Sequence, residues 1–274
     1  MARLKKTDVL LGFKSVVQHR SLLRQLVRRE VEARYRGTAL GFLWSFLSPI
    51  LLLAVYTFVF STIFNARWGL KDESKGLFAL TAFCGMLAFG VFSEVLAKAP
   101  SLIIGNANLV KRVVFPLELL VPVTLGGALV QLSIGLVVWC AGWIIVTSSL
   151  PPLTIVWFPL AILPVMLYAL GGGWLAASLG VFFRDLAQII GLVLQVLFLV
   201  TPIFFPLSRV PERLQTWVQL NPLCSVIENI RAILVLGEQP NISSLLLSTV
   251  CAFGVAVVGS WFFARTKGAF ADVI

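Results

Sequence analysis

The chain has 274 residues, of which 59% are hydrophobic and only 12% charged, with mean hydropathy +0.96. A soluble domain carries about 45–50% apolar and ~25% charged residues, so a water-soluble fold would lack the polar surface to cover this core and lipid must serve as solvent. The formal net charge of +10 does not indicate nucleic acid, because ten of the 22 Lys/Arg precede the first long apolar segment, where basic residues set orientation and meet anionic lipid.

Residues 9–36 form an amphipathic pattern: Leu22, Leu23, Leu26, Val27 and Val31 recur at helical spacing, with Arg20, Arg24, Arg28 and Glu32 elsewhere around the helix. Such a helix is expected to lie in the membrane plane with its basic face toward headgroups. The first 38 residues contain no uninterrupted apolar core of the length a cleavable signal needs, so insertion is expected to be directed by the first membrane helix.

Six segments approach the ~20 apolar residues that span a bilayer: about 40–64, 77–97, 118–147, 155–183, 187–205 and 244–264. Six spans put both termini on one side, and the positive-inside rule identifies that side. Sixteen Lys/Arg fall in 1–38, 98–115, Arg184, Arg265 and Lys267, against six in 65–76 and 206–240. Both termini are expected in the cytoplasm. Gly172, Ala176 and Gly180 on the fourth span, and Ala252, Ala256, Ser260 and Ala264 on the sixth, form small-residue faces for close helix packing.

Two connectors stand out. Residues 98–115 mix apolar Leu102, Ile103, Leu109 and Val110 with Asn106, Asn108, Lys111 and Arg112, which reads as a short cytoplasmic helix suited to docking on another protein. Residues 202–240 contain five prolines and stretches too apolar for an exposed loop. The pieces 207–219 and 222–236 read as two short helices, a re-entrant hairpin at the outer end of a pathway, with a periplasmic cap that has no transport role as the alternative. The expected fold is an all-α polytopic membrane protein: six transmembrane helices, an N-terminal amphipathic interfacial helix (region 1–38, then 39–274) and an outer helical hairpin.

No catalytic constellation emerges. His19 is the one histidine and lies in the basic helix, so neither a metal site nor a Ser-His-Asp arrangement has a partner set. Cys84, Cys140, Cys224 and Cys251 are scattered singly. Glu94 and Glu118 sit at the ends of spans, and no phosphate-loop motif follows the 171–173 glycine run. Without mid-membrane ionisable groups to couple an ion gradient, energy for any transport must come from elsewhere, and a separate ATPase is the natural supplier.

The order VRREVEARYRGTALGFLWSFLSPILLLAVYTFVFSTIF, NLVKRVVFPLELL, FFRDL, TPIFFPLSRVP and LNPL resembles the ABC-2 type permeases of polysaccharide ABC exporters, those for O-antigen, teichoic acid and capsule, from about residue 26 to the end. The resemblance implies a homodimer in the bacterial inner membrane docked to two ABC ATPase subunits, with ATP and Mg bound by those partners and no cofactor or metal in this chain. It implies a glycan cargo on a polyprenyl diphosphate or other lipid, a gate helix at about 18–36, a coupling helix at about 101–112, and outer gate helices at about 207–236. Phe183-Arg184-Asp185-Leu186 would be a second contact region for the ATPase.

Within that frame Arg28, Arg29, Arg34 and Arg36 are candidates for the diphosphate headgroup, since guanidinium binds phosphate bidentately; setting membrane orientation is their alternative role. Asn106, Asn108, Lys111, Arg112, Arg184 and Asp185 are ATPase-coupling candidates, with an Arg184–Asp185 pair as the alternative for the last two. Trp44, Tyr56, Phe60, Phe83, Phe89 and Phe92 are candidates for channel aromatics that stack on pyranose rings; as lipid-facing residues they would instead form interface belts. A lipid or drug permease of the same family, a membrane-embedded modifying enzyme (which would carry clustered carboxylates) and a scaffold without transport remain as rival readings.

Overall fold

In the computed structural model, residues 10–36, 41–63, 68, 74–110 and 115–273 are described, without the side chains of Tyr35, Phe42, Phe60 and Ser61. The start of the first predicted span and Lys111 and Arg112 lie outside these residues. Among the described residues the fold is all-helical.

Helix α4 (Lys75–Leu102) is the axis of the molecule. Ser74 caps it by accepting from the Leu77 amide at 3.1 Å. Of its apolar window 67% is buried, against 28–39% in the other three long helices, so α4 is packed around by protein. The others are α6 (Leu120–Thr147), α7 (Phe158–Phe182) and α11 (Ile242–Thr266). With their flanking turns these four are long and apolar enough to cross a bilayer.

The first and fifth predicted spans form shorter apolar helices, Trp44–Val59 and Leu186–Val200. At 1.5 Å per residue, 15 residues reach only about 22 Å, below the ~30 Å hydrocarbon core. Helix α3 (Trp44–Tyr56) contains Pro49, follows a 3₁₀ turn (Gly41–Leu43) and passes into a wide π-type turn, Thr57–Ile63; α8 (Leu186–Val200) ends at Thr201, where the backbone turns extended ahead of Pro202.

Small residues set the helix spacing. The Gly172–Gly180 face packs on α4: a Cβ at Gly180 would lie 2.2 Å from the Pro100 carbonyl oxygen, and one at Gly172 3.3 Å from Leu96. The α7–α11 contact is made by Gly171 and Gly259 instead, where added Cβ atoms would meet facing backbone at 2.5 and 2.2 Å. On the predicted α11 face, Ala252, Ala256 and Ser260 are buried and Ala264 is half-buried.

The bundle has two unlike ends. At one, α1 (Leu11–Gln18) docks on α11 through the Gly12 amide, which donates to Ser260 Oγ at 3.0 Å. Helix α2 (Arg20–Tyr35) packs across α6, with Val27 against the space left by Gly126. Part of its apolar face therefore meets protein. At the other end lie α9 (Glu212–Gln219) and α10 (Cys224–Arg231), two short helices within the pieces 207–219 and 222–236, which form a cap on the bundle. Helix α10 is buried, with Val226, Ile227 and Ile230 at 0% exposure, while Leu214, Trp217 and Leu220 of the α9 region stay exposed.

Candidate functional site

The four arginines proposed for the headgroup divide into different environments. Arg34 turns toward the bundle and pairs with Glu94 of α4; their side chains are 25% and 21% exposed. Lys98, one turn along α4, reaches Glu94 at 3.1 Å and Glu30 of α2 at 3.2 Å. These two cations and two carboxylates form a charge-balanced seam between α2 and α4. Arg28 faces water and donates from Nε to Glu32 at 2.7 Å. That hydrogen bond, with the Glu32 charge, pushes the Arg28 pKa further up.

Arg24, Arg29 and Arg36 make no ion pair among the described residues. With Arg28 they line one open cavity of about 930 Å³, whose other walls include Val27, Val31, Glu32 and Val130. Four guanidinium groups and one carboxylate leave the cavity with a net charge of +3. Arg34 is absent from its lining, and Arg24, which the sequence placed merely on the helix surface, belongs to it. The arrangement can hold a polyanion such as a diphosphate through several forked donors.

Between α3, α4 and α6 runs a second, apolar groove of about 280 Å³. Pro49, Leu52, Phe83, Met86, Val91 and Leu132 line it, and Glu94 and Gln131 supply its main polar atoms. Gln131 Nε2 donates to the Ser45 carbonyl at 3.0 Å, tying α3 to α6. Glu94 thus belongs both to the groove wall and to the seam that holds Arg34.

The aromatic candidates also separate. Phe83, Phe89 and Phe92 are buried on α4. Phe89 meets Phe198 at 5.2 Å, and Phe198 and Phe204 meet each other at 5.5 Å and Tyr56 at 5.9 and 5.0 Å. Phe198 and Phe204 complete this cluster although neither stood out in the sequence, since an apolar run does not say which ring turns inward. Trp44 is 39% exposed at the start of α3, away from the cluster. The side chain of Phe60 lies outside the described residues.

At the coupling region, α4 continues past Pro100, then a 3₁₀ turn (Ile104–Asn106) leads into α5 (Ala107–Val110). Asn106 Nδ2 donates to the Leu102 carbonyl at 2.8 Å, so this side chain closes the end of α4, while Asn108 is exposed. Arg184 and Asp185 are exposed at the turn between α7 and α8 and form no ion pair with each other among the described residues.

Glu118, which the sequence placed only at the end of a span, gains a structural role on this end. Glu118 is buried, accepting from Ser15 Oγ at 2.5 Å and lying 3.6 Å from Lys267 Nζ. Its carbonyl accepts from Trp174 Nε1 at 3.0 Å. It ties α1, α7 and the C-terminal segment together. Ser15 lies 103 positions away in the chain, a separation at which no local pattern announces a partner. Among the described residues no cluster of three or more His, Cys, Asp or Glu side chains could hold a metal ion.

Residues 21–235 match the family of ABC-2 type transporters. Over 267 residues, covering 95% of this chain and 98% of the relative, the sequence is 29% identical to the O-antigen export system permease protein RfbA of Myxococcus xanthus. It is 26% identical to the polysialic acid transport protein KpsM of Escherichia coli, over 74% of this chain and 77% of that one. With the capsule polysaccharide export inner-membrane protein CtrC of Neisseria meningitidis serogroup B it shares 24% identity, over 95% of this chain and 97% of the relative.

Proposed function

This chain belongs to the ABC-2 type transporter family, and on that premise we propose that it is the permease subunit of an ABC exporter for a lipid-linked polysaccharide of O-antigen type in the bacterial inner membrane. The relatives named for O-antigen, polysialic acid and capsule export support the polysaccharide class of cargo. The observation that carries the lipid-linked reading is the cavity of net charge +3 on α2 beside the apolar groove under α3. A glycolipid diphosphate presents both chemistries at one point: a polyanion and an acyl or prenyl chain.

In this reading the basic end is cytoplasmic, as the excess of Lys/Arg there favours, and both termini lie on that side. Residues 1–38 form the gate region and 39–274 the transmembrane domain. Helix α3 with its π-type turn and α8 with residues 201–205 complete six crossings. The cap of α9 and α10 is the re-entrant outer gate. A homodimer buries the exposed apolar faces of α3 and α8, among them Leu51, Val55, Leu192 and Val196, and the glycan passes between the protomers.

Arg24, Arg28, Arg29 and Arg36 hold the diphosphate. Arg34 holds the gate helix closed on α4 through Glu94, and the same α4 leads directly into α5 at the ATPase side. Two ATPase subunits dock at Asn108, Lys111 and Arg112 and at Arg184 and Asp185, and bind the ATP and Mg themselves. A shift of α5 on ATP binding moves α4, and the seam passes that shift to α2, changing the gate equilibrium. Tyr56 and the phenylalanines around it offer stacking surface to sugar rings once the cluster opens.

The test is deletion of the chain with complementation by the native form or by R24Q/R29Q/R36Q. Deletion should abolish surface glycan and leave lipid-linked glycan inside the cell, and the triple variant should restore it poorly at native membrane levels. Unchanged surface glycan after deletion, in a strain without a redundant exporter, would remove polysaccharide from the cargo and leave a lipid or drug.

A further inference from the structure

The cap end carries a third cavity, of about 500 Å³, between the end of α9, one face of α10 and the start of α11. Its composition is unlike that of the other two. The side chains of Gln219, Glu228, Glu238 and Gln239 line it and make no hydrogen bond or ion pair among the described residues. One wall, by contrast, is fully engaged. Asn229 is 5% exposed, donates from Nδ2 to Ser244 Oγ at 3.0 Å and to the Ser225 carbonyl at 2.8 Å, and accepts the Asn241 amide at 2.7 Å.

The cavity therefore combines a rigid, satisfied frame with four polar side chains that bond to no other protein group: Gln219, Glu238 and Gln239 are exposed and Glu228 is half-buried. No Lys or Arg lines it, so a phosphate or other anion would meet two carboxylates and no cation on the wall. An acyl chain would cover the exposed Gln219, Glu238 and Gln239 side chains without offering them a hydrogen bond. A calcium ion takes 6–8 oxygen ligands and favours several carboxylates, whereas here no group of three or more His, Cys, Asp or Glu stands together among the described residues. Neutral polyhydroxyl ligands remain: their O–H groups donate to the carboxylates and amide oxygens and accept from the amide N–H₂ groups. The volume lies within the ~300–1,000 Å³ range of small-molecule pockets, enough for a short oligosaccharide segment.

We propose that this cap-end cavity is a binding site for the hydroxyl groups of a neutral oligosaccharide, holding the glycan where it leaves the membrane. The proposal rests on the glycan reading above and adds a site to it. Gln219, Glu228, Glu238 and Gln239 are the contacting groups, and the Asn229–Ser244 pair keeps the wall in place. A hold built from a few neutral hydrogen bonds, each of about 1 kcal/mol net, is weak enough for a moving chain to leave.

The experiment uses the full chain with its ATPase in lipid nanodiscs and, as probe, oligosaccharides released by mild acid from the surface glycan of the same cells. Saturation-transfer NMR should detect binding to the native protein. It should fall by at least about fivefold, the scale of one lost hydrogen bond, in Q219A/E228Q/Q239A. A232F, which fills the cavity while keeping its polar groups, should give the same loss. Each variant is compared at native size-exclusion profile and membrane level. Undiminished probe binding in both variants would overturn the site. So would calorimetric binding of CaCl₂ alone that E228Q removes, with no oligosaccharide signal. Deletion of the chain reports separately on the cargo, so a glycan exporter with an idle cavity is distinguishable from a transporter of something else.

Discussion

The two ends of α4 are held to their neighbours by opposite means. At the basic end Glu94 and Lys98 meet Arg34 and Glu30 across a seam whose side chains are 21–40% exposed. At the cap end α10 is held by apolar burial, with Gly85 of α4 letting Ile227 and Ile203 approach. The cation there, Arg231, is 8% exposed, lies 3.9 Å from the centroid of Trp68, and donates from Nη2 to the Pro202 carbonyl at 2.6 Å. A seam of charges near water can part and be rehydrated at low cost; a buried cation in an apolar cap cannot. Under the proposed function, the contrast suits a gate at the basic end and a cap held as a unit at the other.

Six substitutions sharpen or break this comparison. The largest effect is expected from Gly180→Val, which forces a side chain against the Pro100 backbone where even a Cβ would lie at 2.2 Å. Neither backbone can yield, so a loss of at least about 3 kcal/mol follows, read as loss of the folded protein from the membrane fraction. Next, Arg231→Ala should cost about 2–4 kcal/mol, because the Trp68 face and the Pro202 carbonyl lose their partner in a buried site. Arg231→Met should retain much of that stability in thermal-melt measurements. If alanine and methionine destabilise equally, the cap is not held by apolar packing.

A smaller loss, about 1–3 kcal/mol, is expected for Glu94→Gln, which leaves Arg34 and Lys98 with one carboxylate between them. A double-mutant cycle with Arg34→Ala measures the coupling, and zero coupling would dissolve the seam as a functional unit. The smallest effect belongs to Arg28→Ala. Its side chain is 82% exposed and its partner Glu32 63% exposed, so the melting temperature should not move, while affinity for diphosphate-bearing lipid in vesicles should fall. An unchanged affinity would take Arg28 out of the headgroup site.

Much of this architecture is legible in the chain. The amphipathic run that becomes α2, the proline-bounded pieces that become α9 and α10, and the four long helices all follow from periodicity and breakers. What was not legible depends on distance along the chain. Arg34 and Glu94 are 60 residues apart, so four arginines of one helix looked equivalent until α4 claimed one of them. Arg231 counted as a loop charge by position and proved to be buried. The choice of Gly171 over Gly172 for the α11 contact turns on a 100° rotation about one helix axis, which a run of three glycines cannot specify.

Sequence by itself determined that the protein is membrane-embedded and helical, where its four long helices lie, and which end is basic, because hydropathy, periodicity and proline act over a few residues. Only the tertiary structure decided which charges are neutralised, which rings gather and where polar groups are left unused. Those outcomes depend on which faces of distant helices meet, and no local preference along the chain encodes that.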